Sequence, residues 1–248
     1  MNRGKKMCHL NLFFVMKKNK KKWGGICKVF LIIMIGIMCL PFFPLSSVKA
    51  ETLSLRELVA KIQERYEKTT DLKAKFSQEM TIRAMKKTEK EDGVVYIKNP
   101  RRMLWHYVRP KIKKLVINPQ QAWLYIPDDK VAYVQDAGVV LKSKLTLKFL
   151  SGMGNLQEDF NIAFSEGEHI DSEGNYLITL IPKVADFGVD KLLISVNRDT
   201  FLIAQIGFSD LYGNITRIRF TDVHTDVKLP DSLFEFTPPK GFEIFSVP

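Results

Sequence analysis

The chain has 248 residues and a formal charge of +11. Residues 1–50 supply ten of the 38 basic residues and none of the 27 acidic ones, so residues 51–248 stand at a formal +1. Binding nucleic acid by counterion release needs a basic surface on the folded part of a protein, and a near-neutral domain excludes that class.

The first 50 residues read as a secretory signal peptide. A Lys-rich, acid-free stretch over 1–28 precedes an apolar run, Val29 to Leu45, broken by Pro41 and Pro44. Val48 and Ala50 hold the small-residue positions of a cleavage site, which places the cut after Ala50. Met16 opens a run, MKKNKKKWGG, that makes an ordinary n-region by itself, beside Met1 and Met7 as candidate starts. The apolar run before Pro41 is about a dozen residues, short of the roughly 20 that a spanning helix needs. Cys39 follows Met38 rather than a small residue, which argues against a lipoprotein signal. All three cysteines (Cys8, Cys27, Cys39) lie in this leader, so the remainder has neither a disulfide framework nor a thiolate metal site. Residues 51–248 are expected to form one exported, periplasmic domain, large enough to bury a core without cross-links.

Leu53 to Thr70 has the pattern of a helix. Ser54 and Glu57 form a capping box, with Leu53 and Leu58 in the staple positions. Leu55, Leu58, Val59, Ile62 and Tyr66 make one apolar stripe. The period then changes to two: Leu72, Ala74, Phe76, Gln78, Met80, Ile82 and Ala84 share one strand face, with Gln78 the polar intruder. Lys86 to Asp92 reads as a charged loop. From Val94 to Asp129 the sequence is cut at Asn99-Pro100, Arg109-Pro110 and Asn118-Pro119 into short aromatic and β-branched pieces, a meander of antiparallel strands. Asp128-Asp129 reads as a hairpin turn, and Lys130 to Gln135 as a strand. Leu141 to Met153 reads as a short amphipathic helix ended by Gly152, either a packing helix or a movable cover over an apolar cleft. Five strands follow: Phe160 to Ser165, Tyr176 to Lys183, Lys191 to Asn197, Phe201 to Phe208 and Ile215 to Val223. Phe234 to Phe242, with Pro238-Pro239, is an extended segment expected along a sheet edge.

No catalytic constellation can be assembled. His106, His169 and His224 show no metal-ligand spacing on a helix, and no catalytic residue, metal or cofactor is assigned. Gly207-Phe208-Ser209-Asp210-Leu211 misses the nucleophile elbow at its last glycine. What remains is a surplus of apolar and aromatic surface on a twisted sheet, which is either a filled core or a cleft for an apolar ligand.

Four motifs, in order, carry a resemblance. They are Phe76-Ser77-Gln78 after a capped helix, Lys98-Asn99-Pro100 with Trp105-His106-Tyr107 and Pro110, Trp123-Leu124-Tyr125-Ile126-Pro127, and Phe236-Thr237-Pro238-Pro239-Lys240-Gly241. Together they resemble the LolA outer-membrane lipoprotein carriers over nearly the whole of 51–248. The resemblance implies a mainly β (α+β) fold, an incomplete antiparallel β-barrel of about 10–11 strands, with an N-terminal helix and a short helical lid over an apolar cavity. It implies a monomer, no reaction and no cofactor. The implied partners are acylated lipoproteins as cargo, an ATP-driven release complex at the inner membrane and a lipoprotein acceptor at the outer membrane. It implies a lining of Met103, Trp105, Trp123, Leu124, Phe149 and Leu150. Family members often carry Arg just before the proline of the second motif, where it is linked to lid closure and release. Asn99 stands there in this chain, so either Arg101 or Arg102 takes over, or the lid is held differently. A second class, a periplasmic domain on the same fold that senses lipid or lipoprotein, stays open, as does a hydrolase whose site leaves no motif.

Overall fold

The computed structural model describes residues 53–143, 155–184, 189–210 and 212–247; the leader, Phe149 and Leu150 lie outside them. Helix α1 (Leu55–Lys68) starts as its sequence dictates: Ser54 Oγ accepts from the Glu57 N–H, and the Glu57 carboxylate accepts from the Ser54 N–H. It stops at Thr69, which leaves helical geometry. Leu58, Val59, Ile62 and Tyr66 form its buried stripe. The Tyr66 hydroxyl accepts the Ile203 N–H at 3.1 Å, and burial pushes its phenol up to about 12.

The sheet is built from β1 (Asp71–Ile82), β2 (Lys87–Lys98), β3 (Arg102–Arg109), β4 (Lys113–Ile117), β5 (Gln121–Ile126), β6 (Val131–Asp136), β7 (Phe160–Phe164), β8 (Tyr176–Pro182), β9 (Leu192–Val196), β10 (Ile203–Ser209), β11 (Ile215–Thr225) and β12 (Glu243–Ser246). Among the described residues, two short helices, α2 (Ala137–Ser143) and α3 (Leu156–Asp159), lie between β6 and β7. The order across the sheet is β12-β6-β5-β4-β3-β2-β1-β11-β10-β9-β8-β7, and β12 and β7 do not pair with each other. This is an unclosed, mainly antiparallel barrel, with twelve strands rather than ten or eleven, because β12 adds to β6 in parallel.

Three sequence expectations are corrected. Lys86 to Asp92 is not a loop: Lys87 to Asp92 continue β2 to the hairpin turn. Charged residues are tolerated there because that end of the ribbon is largely exposed and Lys90 pairs with Glu79 across it. The helix after β6 begins at Ala137, not Leu141, with the Asp136 carboxylate accepting the Val139 N–H at 3.1 Å; its expected continuation from 144 lies outside the described residues. The segment from Phe234 does not run along an edge but crosses a face of the sheet.

The two faces have different covers. On the inner face, α1 and Leu156 of α3 pack on Phe76, Val95, Met103, Trp105, Ile178, Ile194 and Ile206, among others. On the outer face, Leu104, Val116, Trp123 and Ala132 are covered by Phe234 and Phe236. The crossing segment is pinned where it leaves β11. The buried Asp71 carboxylate accepts the Val227 and Leu229 N–H groups at 2.8 and 3.1 Å. Asp231 pairs with Lys98 and Arg102 at 2.6 and 3.3 Å.

The inner face depends on one glycine. Phe76 meets Trp105 and Tyr107 edge-on, with centroids 4.9 and 5.0 Å away. Its ring lies over Gly93, where a Cβ would come within 2.7 Å of the ring and 2.2 Å of the His106 carbonyl oxygen. Gly93→Ala is therefore expected to cost about 3 kcal/mol, since neither backbone nor a fully packed ring can yield cheaply; urea unfolding of the purified domain measures it.

Candidate functional site

The inner face is incompletely covered. Consecutive strands place Ala74, Val95, Trp105, Leu115, Leu124 and Tyr133 in one register row. Ala74, Val95 and Trp105 are buried, whereas Leu115 and Leu124 are only partly buried and Tyr133 is exposed. Tyr107, Ile218 and Phe220 on the same face are also only partly buried. Where α2 packs beside β5 and β6, a cleft of ≈ 360 Å³ opens, lined by Leu115, Ala122, Leu124, Tyr133, Gln135 and Val140 among others. It is apolar or aromatic apart from Gln135, a lining suited to hydrocarbon rather than to a reaction.

The residues expected to line a cavity divide between the faces. Met103 and Trp105 lie on the inner face, both buried, with the Trp105 indole N–H donating to the Met103 sulfur at 2.8 Å. Leu124 lines the cleft. Trp123 does not, and this corrects the sequence reading. It sits opposite Val116 in the register, and its ring packs on Phe236, centroids 5.6 Å apart, on the outer face. Adjacent residues of a strand point to opposite faces, which puts Trp123 and Leu124 on different sides of β5. The signal that sequence reading missed was Leu115, which the period-two pattern of β4 places beside Trp105 and Leu124.

The residues expected near the lid partner other elements. Asn99 Nδ2 donates to the Thr69 carbonyl at 2.7 Å and the Tyr66 carbonyl at 3.4 Å, satisfying acceptors that the end of α1 leaves open. Arg102 joins Lys98 on Asp231. Arg101 is exposed at the β2–β3 turn with φ 59°.

A cluster of polar groups lies at one end of the inner face. Gln78 Nε2 donates to Glu91 at 3.0 Å, and Lys113 Nζ contacts both Glu91 oxygens at 2.7 and 2.9 Å. Lys113 also lies 4.3 Å from the centre of the Tyr107 ring. Gln78 is thus bonded to side chains rather than to neighbouring backbone. His106, between two inward residues, faces outward. Burial first, and then Lys114, hold its imidazole below the ordinary histidine value, so it is neutral at pH 7. His169 stacks on Phe164, and His224 pairs with Asp222 at 2.8 Å. Among the described residues, no group of three or more His, Cys, Asp or Glu is placed to hold a metal ion.

The family model described as outer membrane lipoprotein carrier protein LolA matches residues 67–237. The chain belongs to the LolA family. An outer-membrane lipoprotein carrier protein of Methylococcus capsulatus is 30% identical over 174 residues, 70% of this chain and 80% of that relative. One of Dechloromonas aromatica is 28% identical over 176 residues, 71% of this chain and 81% of that relative. The crystal structure of an uncharacterized conserved protein from Thermus thermophilus shares the fold, with a TM-score of 0.52 at 13% identity, covering 79% of this chain and 100% of that one. LolA is a carrier family rather than an enzyme family.

The division of faces gives an expected contrast. Trp123→Ala should cost about 3–5 kcal/mol in unfolding free energy, as for other large aromatic truncations, yet leave uptake of an apolar fluorophore by the folded protein unchanged. Leu115→Glu places a charge in the cleft and should lower that uptake by at least about tenfold, since an unpaired carboxylate resists removal from water. Fluorescence titration of the two variants against the parent separates these outcomes.

Proposed function

We propose that this LolA-family protein is a periplasmic carrier of acylated lipoproteins. It takes their acyl chains from an ATP-driven release complex at the inner membrane, shields them in the inner-face cleft, and delivers them to an acceptor at the outer membrane. Residues 1–50 direct its export and are removed after Ala50. It acts as a monomer, with neither a bond-making step nor a cofactor.

The observation that carries this reading is the cleft between α2 and the incompletely buried row Leu115, Leu124 and Tyr133. Each acyl methylene removed from water gains about 0.8 kcal/mol, so a lipid anchor cannot cross an aqueous compartment uncovered. A carrier must also let go. A cleft open to one side binds the chains without enclosing them, and a short cover that moves makes entry and exit possible. In this reading α2 belongs to that cover, and Phe149 and Leu150, later in the chain, join Met103, Trp105 and Leu124 in holding the acyl chains. Asn99 then serves the anchoring of α1, and release is governed from the α2 side.

Depletion of the protein in its own cells is expected to strand lipoproteins at the inner membrane, as read by membrane fractionation. An unchanged distribution of lipoproteins would overturn the carrier reading. Phe149→Glu is expected to weaken uptake of an apolar fluorophore while the fold survives, as read by fluorescence titration beside circular dichroism.

A further inference from the structure

The inner face holds an apolar row and, beyond it, a polar band. In the register, Phe76, Gly93, Tyr107 and Lys113 follow the row of Ala74, Val95, Trp105 and Leu115, and Gln78 with Glu91 comes next. Four polar side chains from four neighbouring strands thus meet at one end of the apolar surface. The sheet does not need them there: Ile218, opposite Gln78 on β11, is apolar, and so is Ile206 beyond it on β10.

The band is short of acceptors. Glu91 is its one anion, and it already accepts from Gln78 Nε2 and from Lys113 Nζ. The Tyr107 hydroxyl reaches Gln78 Oε1 only at 3.5 Å, the outer limit of a hydrogen bond. A second amide hydrogen of Gln78 and a further ammonium hydrogen of Lys113 also remain, on the ordinary donor inventory. Burial and then the Glu91 charge push the Tyr107 phenol above the ordinary tyrosine range, so it stays a donor at every physiological pH. Lys113 and Glu91 cancel in charge. The band therefore offers loosely engaged donors, no net charge and apolar neighbours.

We infer that this band seats the ester carbonyls at the head of the cargo's acyl chains, with the chains laid along the row of Trp105, Leu115 and Leu124. The inference rests on the carrier reading and names the part of the cargo that is recognised. An ester carbonyl is a neutral acceptor without a hydrogen of its own, which matches a donor-rich, uncharged seat. A free fatty carboxylate would bring a second anion beside Glu91. A bare hydrocarbon would leave the donors without acceptors.

The test compares two ligands on the mature protein by calorimetry or competition: a synthetic lipopeptide with a diacylglyceryl cysteine, and its dialkyl ether analogue, which has the same chains and no carbonyls. The parent is expected to prefer the ester by about three- to tenfold, the scale of one or two net hydrogen bonds. Tyr107→Phe and Gln78→Leu are expected to lower ester affinity toward that of the ether and to leave the ether unchanged. Equal binding of the two ligands by the parent would overturn the inference, as would a preference that survives both substitutions. The parent comparison needs no variant to fold. A parent that binds neither ligand would sink the carrier reading itself, whereas one that binds both equally would sink only the ester seat.

Discussion

A β-strand points alternate side chains to opposite faces, and a sheet that is apolar on both sides must find two covers. This constraint shapes the whole molecule. The outer face is closed by the chain's own C-terminal crossing, through Phe234 and Phe236 on Leu104, Val116 and Trp123. The inner face receives α1, and α1 is too short to cover it. Its 14 residues span about 21 Å at about 1.5 Å each. The eleven spacings of the twelve-stranded sheet amount to about 53 Å of arc at about 4.8 Å each. Curling shortens the inner circumference but does not remove the deficit. Apolar surface on β3 to β6 is left for something else to cover, and that remainder is the cleft.

Both covers are fixed at the same corner. Asn99 and the Tyr66 hydroxyl hold the end of α1 to the β2–β3 turn and to β10, and Arg65 reaches Thr225 at the end of β11 at 2.9 Å. Asp71 at the start of β1 holds the first residues of the outer crossing. Pinned covers on one side leave the opposite side, β4 to β6 with α2, as the place where the inner surface can gain or lose its covering. In that light the role of Asn99 is to anchor the end of α1. Its amide satisfies helix-end carbonyls, a task for a short donor that lies beside them.

Much of this was legible in the residues. The capping box at Ser54, the change of period at Leu72 and the Pro-marked meander each follow from local physics, and they led to an open barrel with one long helix. What was not legible depended on partners distant in sequence. Trp123 and Trp105 look alike as aromatic strand residues; only pairing with Val116 puts Trp123 outside. Lys87 to Asp92 looked like a loop because charge is a poor guide to strand formation when both faces of a ribbon are exposed. The Ala137 turn of α2 was hidden by Gly138 and two valines, residues of low helix propensity that Asp136 and packing override. Gln78 stood out as polar on an apolar face, yet its partner Glu91 lay in the stretch read as loop, so the band could not be assembled from sequence.

The band also bears on how a carrier can bind firmly and still release. Apolar burial has no direction and grows with every methylene, so a smooth cleft would grip long chains harder than short ones and at no fixed depth. Hydrogen bonds at one end of the apolar row act differently. They set where the head of the lipid stops and add the same modest term to every cargo, whatever its chain length. They are also lost over a short displacement, because a hydrogen bond weakens steeply once stretched beyond its limit. A seat of donors beside an open cleft therefore fixes position through polar groups and leaves most of the affinity to surface that an acceptor can take over one methylene at a time.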